Sequence, residues 1–158
     1  MADFTLRFIN SAGLVSIMID WATNSLWDHV EIGTPQDTWI GAHDDGGVQE
    51  RAGDYCTPTR ERCYSLPVAD VTAAKVLSFA RSKIGTPYDF ADIAGLFFHD
   101  RRLNTPGRVI CSMFVTEVAL AAGIQMLNVL PGFTELITPE MLHLSPLLIG
   151  RSTYSFGC

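Results

Sequence analysis

At 158 residues, 47% of them hydrophobic and 18% charged, the chain has the length and apolar content of one compact domain, assigned here to 1–158. A net charge of −6, with no basic stripe among its lysines and arginines, excludes nucleic acid as an expected partner. The most apolar stretch, 109–133, is broken by Glu117, Gly123, Gln125, Asn128 and Pro131, which excludes a membrane span.

The N-terminal run Met1–Arg7 lacks the basic and apolar regions of a signal peptide, so the expected location is the cytoplasm or a phage particle. Residues 3–9 and 13–20 read as strands joined by a turn at Gly13, and 21–27 as a connector. A short strand then begins near His29 and ends at Gly33. Its period of two sends His29 and Glu31 to one face and Val30 and Ile32 to the other. Thr34–Asp37 is a turn, Thr38–Ala42 a strand, Asp44–Gly47 a tight turn and Val48–Arg51 a further strand, which together form an antiparallel meander. Residues 52–66 read as loop. A helix is expected over Val71–Ile84, capped by Asp70, buried along Leu77, Ala80 and Ile84, and stopped by Gly85. Residues 87–98 suggest a short helix and His99–Gly107 a polar linker.

From Cys111, apolar residues recur at Phe114, Val115, Val118, Ala119 and Ala122, one face of a helix that Gly123 ends. A thiol on the first turn faces free backbone N–H groups and the positive end of the helix dipole, which favour thiolate and make it a candidate nucleophile. The same residue also reads as a small buried hydrophobe. Thr138-Pro139-Glu140 is a second helix start, and 147–157 a closing strand. Of the four cysteines, Cys56 and Cys63 are near enough in sequence to pair in an oxidising compartment, but their spacing does not suit zinc; no metal and no cofactor are expected.

A cysteine nucleophile needs an imidazole to hold it as thiolate and to protonate the leaving group, and His29 at a strand start is the best partner for Cys111. His43 reads as a surface residue, His99 as a solvated linker residue and His143 as structural. Asp28 reads as a polar residue leading into the strand.

Ile84-Gly85-Thr86-Pro87-Tyr88, followed by Ile110-Cys111-Ser112-Met113-Phe114-Val115 opening a helix, resembles the NlpC-type cysteine peptidases. Trp27-Asp28-His29-Val30-Glu31-Ile32 is similar to the strand that carries the base in that family. The histidine strand precedes the cysteine helix, which is the order of the circularly permuted papain-like branch that includes YiiX-like proteins and lecithin:retinol acyltransferase-like enzymes. The resemblance covers about 14–145. It implies an α+β fold in which an antiparallel sheet or partial barrel packs against the cysteine helix and a second helix. It also implies Cys111 as nucleophile, His29 as acid/base and Tyr88 as a residue lining the oxyanion position.

Two departures stand out. The family's third polar residue, which orients the base, falls near Gly41, so Glu31, His43 or a backbone carbonyl would have to substitute. Ile110 replaces the acidic residue before the cysteine. The expected activity is that of a cysteine amidase or peptidase on a small peptide or amide, such as a cell-wall peptide. The rivals are acyl transfer or lipid/thioester hydrolysis by the same Cys111/His29 pair, and an impaired binding or structural module of a phage or secretion particle.

Overall fold

A computed structural model of the chain describes residues 1–11, 24–91, 93, 105–129, 133–148 and 152–153. The expected strand over 13–20, most of the helix over 87–98 and His99 lie outside them. The strands are β1 (Ala2–Asn10), β2 (His29–Gly33), β3 (Thr38–His43), β4 (Gly47–Ala52), β5 (Arg60–Val68) and β6 (Ser152–Thr153). They form one sheet in the order β4-β3-β2-β1-β5-β6, and each neighbouring pair is antiparallel. The helices are α1 (Asp70–Ser82), α2 (Cys111–Ala121) and the short α3 (Pro139–His143). The fold class is α+β, as expected.

Alternation along the strands builds the core. Phe4, Leu6 and Phe8 of β1, Val30 and Ile32 of β2, Ile40 and Ala42 of β3, and Tyr64 and Leu66 of β5 join one buried cluster with Val115, Val118 and Ala119 of α2. Helix α2 lies against β2 and β3, and α1 lies against β1 and α2. The predicted apolar face of α2 is the buried one, and Gly123 follows the helix at φ 83°. No helix among the described residues is long and apolar enough to cross a membrane.

Three expectations need correction. Residues 60–66 are not loop: β5 pairs along its whole length with β1, from Arg60 opposite Asn10 to Val68 opposite Ala2. Its charged outer positions and Pro67 hide an alternation in which Tyr64 and Leu66 point inward. Helix α1 starts at Asp70 behind an Ala69 cap that makes no side-chain hydrogen bond, so Asp70 does not cap it. Its buried stripe is Ala73, Val76 and Ala80, while Ile84 lies beyond the helix and is exposed. The start of α3 follows the sequence signal, because the Thr138 side chain accepts a hydrogen bond from the Met141 N–H at 3.2 Å.

Two tertiary ties lead towards the head of α2. Gly47, at φ 77°, lets residues 85–87 run against the edge of β4, where a Cβ would lie 2.1 Å from the Thr86 carbonyl oxygen. Val48 N–H donates to Thr86 O, and Gly85 N–H donates to Val48 O. The segment then forms a parallel bridge from Tyr88 to Val109, two residues before Cys111. The Ser112 hydroxyl donates to the Ile137 carbonyl at 2.5 Å and holds the first turn of α2.

Phe8 is fully buried, edge-on to Trp27, Tyr64 and His143. Phe8→Ala is expected to lower the free energy of unfolding by about 3–5 kcal/mol in urea denaturation. Met141→Ala, at a half-exposed position, should change it by no more than about 0.5 kcal/mol.

Candidate active site

The second face of the sheet is polar yet buried at Arg7 and Glu31. Directly opposite Glu31 in the β1–β2 register stands Arg7, and both side chains are almost wholly buried. Arg7 Nε lies 3.1 Å from Glu31 Oε2, an ion pair whose alignment falls short of a hydrogen bond. The loop after β4 covers this pair. Gly53 O accepts from Arg7 Nη1 at 3.1 Å, Cys56 Sγ accepts from Nη2 at 3.3 Å, and the Tyr55 hydroxyl donates to Glu31 Oε1. The guanidinium also lies over the rings of Trp39 and Tyr55, at 4.7 and 5.3 Å from their centroids.

Glu31 passes this order on to His29. His29 Nε2 and Glu31 Oε1 are hydrogen-bonded at 3.1 Å, two residues apart on one face of β2. The side chain of Cys111, the first residue of α2, interacts electrostatically with the same imidazole. The Cys111 thiol donates weakly to the Asp28 carbonyl at 3.8 Å. Asp28 is itself held, its N–H donating to Ile9 O and its carboxylate accepting from the Ser11 N–H at 2.6 Å. His29 thus interacts with both Glu31, on its own strand, and Cys111, at the head of the helix.

The electrostatics follow from this arrangement. Burial alone would lower the His29 pKa, but hydrogen bonds to Cys111 and Glu31 and their charges push it up to about 10. Burial would raise the Glu31 carboxyl, but His29, Arg7 and Tyr55 hold it below its usual value. His43 goes the other way: burial, reinforced by the charge of His29, pushes it down to about 3.

Where Gly41 carries no side chain, Glu31 of the neighbouring strand contacts His29. The β2–β3 register, continued by one residue, puts Gly41 opposite Glu31. A Cβ at 41 would lie 3.1 Å from Glu31 Cγ and 3.2 Å from His29 Nε2. Glycine at 41 thus leaves room for the Glu31–His29 contact. His43 is not the surface residue expected. It is 6% exposed, its ring 4.8 Å from that of His29 and its Nε2 3.7 Å from Glu31 Oε1. Tyr88 is buried beside the run into Cys111, its ring edge-on to Phe90. His143 is structural, bonded to the Tyr64 hydroxyl at 2.8 Å among Phe8 and Trp27. Cys56 and Cys111 are free thiols.

Arg7 and Tyr55 were not read from the sequence as site residues. Arg7 had a signal, a lone charge inside the apolar run Phe4–Ile9, whereas Tyr55 had none. Among the described residues, His29, Glu31 and His43 also form a group able to hold a metal ion, with ligand atoms all within 4.8 Å of one another. Two local features fit a cation there: His43 Nε2 is buried with no hydrogen-bond partner, and Gly41 places no side chain against either ring nitrogen.

No protein-family model matches the sequence, and no curated protein matches it. A search of solved structures finds the fold of YiiX from Escherichia coli, described as a metalloprotein. The TM-score is 0.68, over 98% of this chain and 97% of that one, at 15% identity. The chain thus shares the fold of YiiX.

Glu31→Gln leaves the buried Arg7 guanidinium with the Glu61 carboxylate, 3.6 Å from Nε, as a remaining charged partner. It should cost up to about 3–5 kcal/mol in urea denaturation, most of it recovered when Arg7→Met is added. The two histidines predict opposite pH limbs. His29, raised from 6.5 to about 10, contributes stability that is full below pH 6.5 and lost as pH rises through about 10. His43, lowered from 6.5 to about 3, contributes stability that is full above pH 6.5 and lost as pH falls towards 3. Denaturation midpoints against pH should show the alkaline limb flattened by His29→Ala and the acid limb by His43→Gln.

Proposed function

We propose that this protein is a cysteine amidase or peptidase of the circularly permuted papain-like type, acting on a small peptide or amide. The observation that carries the reading is His29 standing between Cys111 at a helix N-terminus and the buried carboxylate of Glu31. That is the nucleophile, acid/base and orienting group that acyl transfer through a thiol requires.

Cys111 sulfur attacks the carbonyl carbon, and the pair of electrons from the C=O bond moves onto oxygen. The Cys111 N–H, on the first turn and outside the intrahelical ladder, faces that developing charge, with Tyr88 lining the same position as the family resemblance implies. His29 gives its proton to the leaving amine as the C–N bond breaks and a thioester remains. His29, now neutral, takes a proton from water, whose oxygen attacks the thioester and releases the acid and the thiolate. Glu31 keeps the imidazole ring in place through both steps and balances its charge.

A cell-wall peptide is the substrate suggested by the resemblance. The impaired-module reading draws support from the bare position 41, and Glu31 at 3.1 Å from His29 favours the hydrolase over it. Acyl transfer would use the same thioester with another acceptor than water, and product analysis with peptide and acyl donors separates the two.

The test is alkylation of Cys111 by iodoacetamide, with Cys56, Cys63 and Cys158 replaced by serine. At pH 7 the thiol should react readily, and His29→Ala should slow it about tenfold or more. Glu31→Gln should slow it less, provided the variant is folded by circular dichroism. A Cys111 thiol that is inert, or indifferent to His29, would overturn the reading.

A further inference from the structure

His43 is unexplained by the chemistry proposed for Cys111. It is buried on the last residue of β3, its ring packed against those of His29 and Tyr55, yet its Nε2 makes no hydrogen bond. That nitrogen points towards the oxygen that His29 already uses: Glu31 Oε1 lies 3.7 Å from His43 Nε2 and 3.1 Å from His29 Nε2. Opposite them β3 carries glycine, and a Cβ at Gly41 would come within 3.2 Å of His29 Nε2 and 3.4 Å of His43 Nε2. The three potential ligand atoms lie within 4.8 Å of one another.

The two separations from Glu31 Oε1 suit a cation. Zinc binds nitrogen and carboxylate oxygen at about 2.0–2.2 Å, which in a tetrahedron puts neighbouring ligand atoms about 3.3–3.5 Å apart. The separations from Glu31 Oε1, 3.1 and 3.7 Å, straddle that range, while the group as a whole spans up to 4.8 Å. The donor set, two imidazoles and one carboxylate, suits borderline divalent ions rather than calcium or magnesium. The outer shell is also present. Arg7 holds the other carboxylate oxygen of Glu31, and Tyr55 donates to Oε1, so the carboxylate cannot swing away.

We propose that His29 Nε2, Glu31 Oε1 and His43 Nε2 form a binding site for one divalent cation of the zinc class. Binding requires the Nε2 proton of His29 to leave for solvent, since the cation takes that lone pair: one divalent ion in, one proton out. A further consequence rests on the function proposed above: an ion on His29 Nε2 and Glu31 Oε1 takes the place of the hydrogen bond between them that positions the base, and so regulates Cys111.

The protein is stripped with a chelator in the background with Cys56, Cys63 and Cys158 replaced by serine, then titrated with Zn²⁺ by calorimetry and with Co²⁺ by visible absorption. The expected result is one equivalent of either ion and ligand-field bands for cobalt. Affinity should be at least about tenfold weaker in His43→Gln, and in Glu31→Gln if circular dichroism shows it folded. Zn²⁺ should protect Cys111 from iodoacetamide in the parent and not in His43→Gln. Absence of binding, or binding that survives His43→Gln unchanged and is therefore adventitious, overturns the proposal. Alkylation of the metal-free protein keeps the two readings apart. A fast, His29-dependent Cys111 without a cation site sinks only this inference, and a cation site beside an inert thiol sinks only the hydrolase.

Discussion

The buried ion pair between Arg7 and Glu31 is the constraint on which the rest of the site depends. Two opposite charges in the middle of a sheet are expensive to take out of water and tolerable only with close geometry and further hydrogen bonds. Each device nearby serves that need. The cross-strand register brings the groups face to face, the rings of Trp39 and Tyr55 flank the guanidinium, and residues 53–56 supply a carbonyl, a hydroxyl and a sulfur. Strand β1 therefore does two jobs: Leu6 and Phe8 fill the core on one face, and Arg7 anchors the polar network on the other.

From that anchor the order runs outward. An ionised Glu31, fixed by Arg7 and Tyr55, fixes His29, and His29 meets Cys111 because it sits at the very start of β2. The opposing side is held independently. The head of α2 is tied through Ser112 to Ile137, and the chain leading into it is tied through Val109 to Tyr88. A thiol and an imidazole 82 positions apart in sequence thus meet without either sitting on a mobile loop (111 − 29 = 82).

Glu31 Oε1 is a crowded atom, approached by His29, Tyr55 and His43. An oxygen with that many neighbours is a natural point of exchange between a proton and a cation. The glycine at 41 keeps the space around it free of side chain, which ties the proposed hydrolase and the proposed cation site to the same local vacancy of side-chain atoms on β3.

Local periodicity was enough to place much of this protein. The period of two set His29 and Glu31 on one face, the period of 3.6 with Gly123 bounded the cysteine helix, and Thr138-Pro139 marked the start of α3. These features are written in neighbouring residues, so the sequence by itself determined them. Strand β5 escaped because charges and a proline covered its alternation, and only pairing along the whole of β1 shows that it is a strand. The burial of His43, the cover of Tyr55 and the role of Arg7 were decided by tertiary structure alone. They depend on strand register and on a loop folding over a sheet face, through contacts such as Tyr55 to Glu31 and Arg7 to Cys56, 24 and 49 positions apart, that no local pattern encodes.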